Sequence, residues 1–239
     1  MKKGIIVIIA SVFFIAIASG QTTGNESYPP LALDSFAAKI GRQSKPQVID
    51  ARSADEFSLN HIIGAINFNL QTEDYANRVQ SLNKNEPVFI YSIGTGRSGQ
   101  LAKDLRSKGF KEVYDLRGGI ANWVGGGNPY YTSAKKSVTL QEYKTILANN
   151  QLVLVDVGSR YCGACKKVKP VLDSLRRENG DALKIVEIDL EESPQLISEL
   201  KTVDAFPYLI LYKKGEVALK RSGLSALKND IDKAIAKAK

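Results

Sequence analysis

From Leu31 to Leu116, short apolar runs alternate with stretches whose apolar residues recur every three or four positions. The runs are residues 47–50, 65–68, 87–91 and 113–116. Between them, Leu33, Phe36, Ala37 and Ile40 share one helical face, with Asp34 or Ser35 as the expected cap. Further helices are expected to start at Asp55, to cover 75–82, and to run from Gly96 through Leu101 and Leu105. Such alternation predicts an α/β fold: a parallel sheet flanked by helices, joined by right-handed crossovers.

The pattern stops at 124–129, where three glycines and Pro129 cannot continue a helix. It resumes with Thr139 and Glu142, a capping box. Strands are expected at 152–157, 183–188 and 208–212, and a hairpin strand at 217–221 after the Lys213–Glu216 turn. Helices are expected after 161, over 194–200 and over 227–236. The organisation is therefore a leader at 1–20, a first domain at 28–125, a linker at 126–136 and a second domain at 137–239. Tyr130 and Tyr131 offer an alternative within the linker, packing against a domain and stiffening the junction.

The leader has Lys2 and Lys3, then fourteen apolar residues from Ile5 to Ala18, then Ser19-Gly20. That is the make-up of a secretory signal cleaved before Gln21, too short for an ordinary membrane span. Export to a periplasm is expected, with no stable membrane insertion after cleavage. Net charge is +8 at pH 7, but the lysines are scattered and no aromatic residues interleave them, so no nucleic-acid partner is expected.

The chain has two cysteines, Cys162 and Cys165, placed between an apolar strand and a helical pattern. A Cys-x-x-Cys pair delivered to a helix start suits reversible dithiol–disulfide exchange. A purely structural disulfide would close so short a loop that it contributes only about 2 kcal/mol. A zinc site needs more ligands than two cysteines and the single His61 supply. No metal and no cofactor is expected.

Three motifs of the first half carry a resemblance. Val48-Ile49-Asp50-Ala51-Arg52 with Glu56-Phe57 and His61–Asn67 resembles the opening of a rhodanese-like domain. Leu116-Arg117-Gly118-Gly119-Ile120-Ala121-Asn122-Trp123 resembles its closing signature. Between them the family carries a Cys-x-x-x-x-Arg loop, and this chain reads Ser92-Ile93-Gly94-Thr95-Gly96-Arg97, then Ser98. Ser92 stands where the family's sulfur-carrying cysteine belongs, and a hydroxyl forms no persulfide. The resemblance thus implies the fold without sulfur transfer. Two readings of the loop stay open. Ser92, Gly94, Gly96, Arg97 and Ser98 could cradle an anion at a helix start, or the glycines serve the turn while Arg97 pairs with an acid such as Glu56. His61 is read as structural.

The second half resembles thioredoxin along its length, with a mixed sheet implied. Asp156 lies six residues before Cys162, Lys166 follows Cys165, Pro170 lies five residues after it, and Phe206-Pro207 precedes a strand. The resemblance implies that Cys162 attacks a protein disulfide from a helix N-terminus and that Cys165 resolves the intermediate. It also implies that Asp156 takes the Cys165 proton, that Pro170 kinks the helix, and that a cis Pro207 leaves Phe206 open to an extended substrate. Tyr161 and Ala164 stand where the family commonly has Trp and Pro, which points to a somewhat less reducing couple. The expected activity is thiol–disulfide exchange with protein dithiol or disulfide substrates and a separate redox partner, the first domain serving recognition. Two rivals remain: an anion- or partner-binding module with redox regulation, and a sulfur relay through Cys162.

Overall fold

The structure is a computed structural model that describes residues 29–135 and 137–238. The expected leader lies outside the described residues. The first half contains α1 (Leu33–Gly41), β1 (Gln47–Asp50), α2 (Ala54–Leu59), β2 (Asn60–Ile62), β3 (Ile66–Asn67), α3 (Tyr75–Gln80), β4 (Val88–Tyr91), α4 (Gly96–Ser107), β5 (Val113–Asp115) and α5 (Gly119–Gly125). Four strands form a parallel sheet in the order β3-β1-β4-β5. β4 is buried along its whole length, as the continuous apolar run 88–91 requires of a central parallel strand.

One local expectation differs from the structure. Neither Asp34 nor Ser35 caps α1: the N-cap is Ala32, without a side-chain bond, and Asp34 sits in the first turn, where its charge faces the free N–H groups. Helix α2 begins with a capping box instead, Ser53 Oγ accepting from the Glu56 backbone and Glu56 accepting from the Ser53 backbone.

The stretch read as a linker is partly a strand. β6 (Tyr130–Thr132) pairs antiparallel with β2. His61 is stacked between Phe57 and Tyr131, at ring separations of 3.9 and 4.6 Å, and its Nδ1 lies 2.8 Å from the Phe57 carbonyl. The tyrosines therefore stiffen the junction.

The second half contains α6 (Leu140–Asn149), β7 (Leu152–Gly158), α7 (Lys169–Asn179), β8 (Lys184–Asp189), α8 (Pro194–Leu200), β9 (Tyr208–Lys213), β10 (Glu216–Ser222) and α9 (Leu227–Ala238). Its sheet is mixed, in the order β10-β9-β7-β8, with only β7 and β8 parallel. The expected capping box forms at Thr139 and Glu142.

One apolar cluster runs through both halves. It joins Phe36, Phe89, Ile120, Trp123 and Val124 to Leu196, Ile197, Val203 and Tyr208. The joint is made by α5 against α8 and the segment after it.

Candidate dithiol site

Sheet register brings the site together. Strand β7 carries Asp156 inward and ends at Gly158. Its partner β9 sets Tyr208 opposite Val157, so Pro207 falls at the same sheet end as Gly158. The Phe206–Pro207 bond is cis, and the Pro207 carbonyl accepts from the Gly223 amide at 3.0 Å. A side chain at Gly158 would meet the Cys165 Sγ at 3.2 Å, so glycine lets the sulfur settle on the strand end.

Cys162 and Cys165 are joined as a disulfide with Cα atoms 5.2 Å apart. They do not open an α-helix. Residues 165–167 form a 3-10 turn, and α7 begins only at Lys169. Pro170 therefore sits in the first turn of α7, where its missing N–H breaks no bond. The expected kink is a change from 3-10 to α geometry. What faces the Cys162 sulfur is a local donor, the Cys165 amide at 3.1 Å. An N–H aimed at a sulfur favours its thiolate.

Asp156 is opposite Glu187 in the β7–β8 register, and its Oδ1 is buried without a partner. Both carboxyls line a cavity of about 360 Å³, together with Cys165, Lys166, Lys169 and Arg160. Burial, then the Glu187 charge, pushes the Asp156 carboxyl up to about 7, against the opposing charge of Arg176. A carboxyl poised there exchanges protons with a thiol near neutral pH.

That shift has a stability consequence. An unfolded Asp titrates near ~3.9, so between about pH 4 and 7 the folded chain holds the extra proton and stability falls as pH rises. We expect Asp156→Asn to gain on the order of 2–4 kcal/mol at pH 8 and little below pH 4, read by urea denaturation at both values. An equal gain at both would remove the buried charge as the cause.

Sequence reasoning missed the groups that hold the turn before Cys162. The Ser159 hydroxyl donates to Glu191 Oε1 at 2.9 Å and accepts from the Tyr161 amide, while its carbonyl accepts from the Cys162 amide. Arg160 pairs with Asp189 at 2.9 Å and with Glu192. Burial and the neighbouring Asp189 charge push Glu191 up to about 7. The only hint in the sequence is an acidic run at the end of the expected strand, Asp189-Leu190-Glu191-Glu192.

The other loop is closed on itself. Ser92 is 1% exposed, and its hydroxyl donates to the Gly94 carbonyl at 2.8 Å and lies 3.1 Å from the Ser98 hydroxyl. Arg97 holds Glu56 with two bonds of 2.6 and 2.7 Å, which draws the Glu56 carboxyl below its usual range against the cost of burial. The acid-pairing reading of Arg97 is the arrangement present. Gly96 and Ser98 lie in the first turn of α4.

Fold and dithiol together define a two-domain α/β protein whose second half is a thiol–disulfide oxidoreductase of thioredoxin type. Family comparisons agree: a rhodanese-like domain matches residues 33–125, and thioredoxin matches residues 134–237. The chain belongs to both families, one in each half. Among curated relatives, the uncharacterised protein YqhL of Bacillus subtilis is 32% identical over 125 residues, 52% of this chain and 95% of that one. Thioredoxin of Listeria monocytogenes is 41% identical over 66 residues, 28% of this chain and 63% of that one. The putative sulfur carrier protein YrkF of Bacillus subtilis is 27% identical over 99 residues, 41% of this chain and 52% of that one. Among solved structures, oxidised mitochondrial thioredoxin 3 of Saccharomyces cerevisiae shares 28% identity. It covers 44% of this chain and 95% of its own, with a TM-score of 0.38.

Proposed function

We propose that the chain is an exported protein thiol–disulfide oxidoreductase, with a first domain that transfers no sulfur and serves recognition. One observation carries this reading. The only two cysteines pair at Cys162 and Cys165, while the rhodanese-like loop holds Ser92, whose hydroxyl is spent on the loop's own Gly94 carbonyl. Export rests on residues 1–20, and a periplasm is an oxidising compartment suited to a dithiol protein.

The Cys162 thiolate attacks a substrate disulfide, forming a mixed disulfide and releasing one substrate thiolate. Cys165 then passes its proton to Asp156 and attacks the Cys162 sulfur. The internal disulfide forms and the second substrate thiolate leaves. An external thiol or reductase resets the pair, or the cycle runs in reverse as oxidation.

Insulin reduction with dithiothreitol as donor tests the first part. The protein is expected to accelerate precipitation of the insulin B chain well above the uncatalysed rate, and to transfer no sulfur from thiosulfate to cyanide. A background insulin rate would remove the oxidoreductase reading. Measurable thiocyanate would remove the inactive-loop reading.

A further inference from the structure

Gly118, the left-handed residue just before α5, and Gly125, the last residue of α5, both face the segment that follows α8. A side chain on Gly118 would overlap the Asp204 carbonyl, and one on Gly125 the Val203 carbonyl. The next residue, Gly119, is equally pressed on the Ser92 and Gly94 carbonyls. The backbone of the first domain thus rests directly on the backbone of the chain leading into Pro207.

That segment is unusual in a second way. Among the described residues, no backbone group of Val203, Asp204, Ala205 or Phe206 takes part in a hydrogen bond. A run of unpaired peptide groups beside a reactive dithiol is a place where an extended substrate adds as a strand. Here the run is blocked at one end. The Val203 and Asp204 carbonyls lie under α5 although the Asp204 residue is otherwise exposed, and Ala205 and Phe206 are partly exposed with no such cover on their carbonyls.

We propose that the first domain limits the length of the segment the dithiol accepts. A substrate strand pairs beside Ala205 and Phe206 and is stopped at Asp204 by α5. The favoured substrate is then a disulfide near a chain end or on a short flexible loop, and one set within a long extended strand is disfavoured. This rests on the oxidoreductase reading and gives the first domain its part in it.

Two disulfide-linked peptide dimers test the idea, with dithiothreitol as donor. In one, the cysteine has a single residue on either side; in the other, it has six. The intact protein is expected to favour the short peptide by about tenfold in kcat/KM, the worth of roughly one backbone pairing lost. Gly118→Val and Gly125→Val force α5 off the segment, and should bring the ratio within about twofold at an unchanged short-peptide rate.

Equal use of both peptides by the intact protein overturns the proposal, as does an unchanged ratio in folded valine variants. Turnover of neither peptide would instead count against the oxidoreductase reading. If valine unfolds the chain, the long peptide trapped on Cys165→Ser gives a separate reading. Amide exchange should slow at Ala205 and Phe206 only, and added protection at Val203 or Asp204 overturns the proposal.

Discussion

Cys165→Ser mixed with an insulin-like disulfide protein is expected to accumulate as a covalent adduct through Cys162, with turnover reduced on the order of a thousandfold or more. Cys162→Ser should lose turnover to the same degree and form no adduct. The asymmetry follows from what each sulfur faces. Cys162 Sγ accepts the Cys165 amide, which favours a thiolate on the attacking residue. Cys165 Sγ rests against Gly158 and opens on the cavity that holds Asp156, so its proton has a carboxyl to go to. Exposure does not make the assignment, since Cys162 is only 4% exposed in the disulfide form. Mass spectrometry of the trapped species decides it. An adduct on Cys165 in the Cys162→Ser variant would exchange the two roles.

The second large effect lies far from the dithiol. Arg52 and Asp50 are both fully buried, joined at 2.7–3.1 Å, and Arg52 also reaches Asn60. Removing one charge leaves the other in the core without its partner, which costs about 3–5 kcal/mol. Arg52→Ala should therefore lower the midpoint of thermal unfolding by about 12 °C or more for a domain of roughly 100 residues. The paired replacement Asp50→Leu/Arg52→Leu should recover part of the loss, because no charge is left unpaired, while the buried Asn60 still loses its donor. A single-variant loss below about 1 kcal/mol would mean that water reaches the pair.

The alternation of apolar runs already indicated the first sheet, and the resemblance to thioredoxin implied the mixed second sheet and a site holding Asp156, Cys162 and Pro207. Other features were legible as letters without their consequence. Asp50 and Arg52 read as part of a motif, but complete burial comes from packing under Tyr91 and Asn60, which no local pattern reports. β2 and β6 were missed because each has three residues and pairs across about seventy positions of chain, beyond any periodicity. Gly118 and Gly125 read as turn or signature residues. Their contact with Asp204 and Val203 appears only once the two halves are docked. The helix expected at Cys162 failed because Pro170 lacks the N–H that would continue α geometry upstream of it.

The β2–β6 pairing also decides how the dithiol meets its customers. The Ser133 amide is bonded to the Leu59 carbonyl, and the Val138 amide to the Ser193 hydroxyl. The leash between these anchors is residues 134–137, roughly 18 Å from anchor to anchor at full stretch. A swinging arm, shuttling its thiols between a donor in one place and an acceptor in another, needs a longer tether and a free face at its base. This chain has the opposite build. Its thiols are mounted like a tool on a fixed bench.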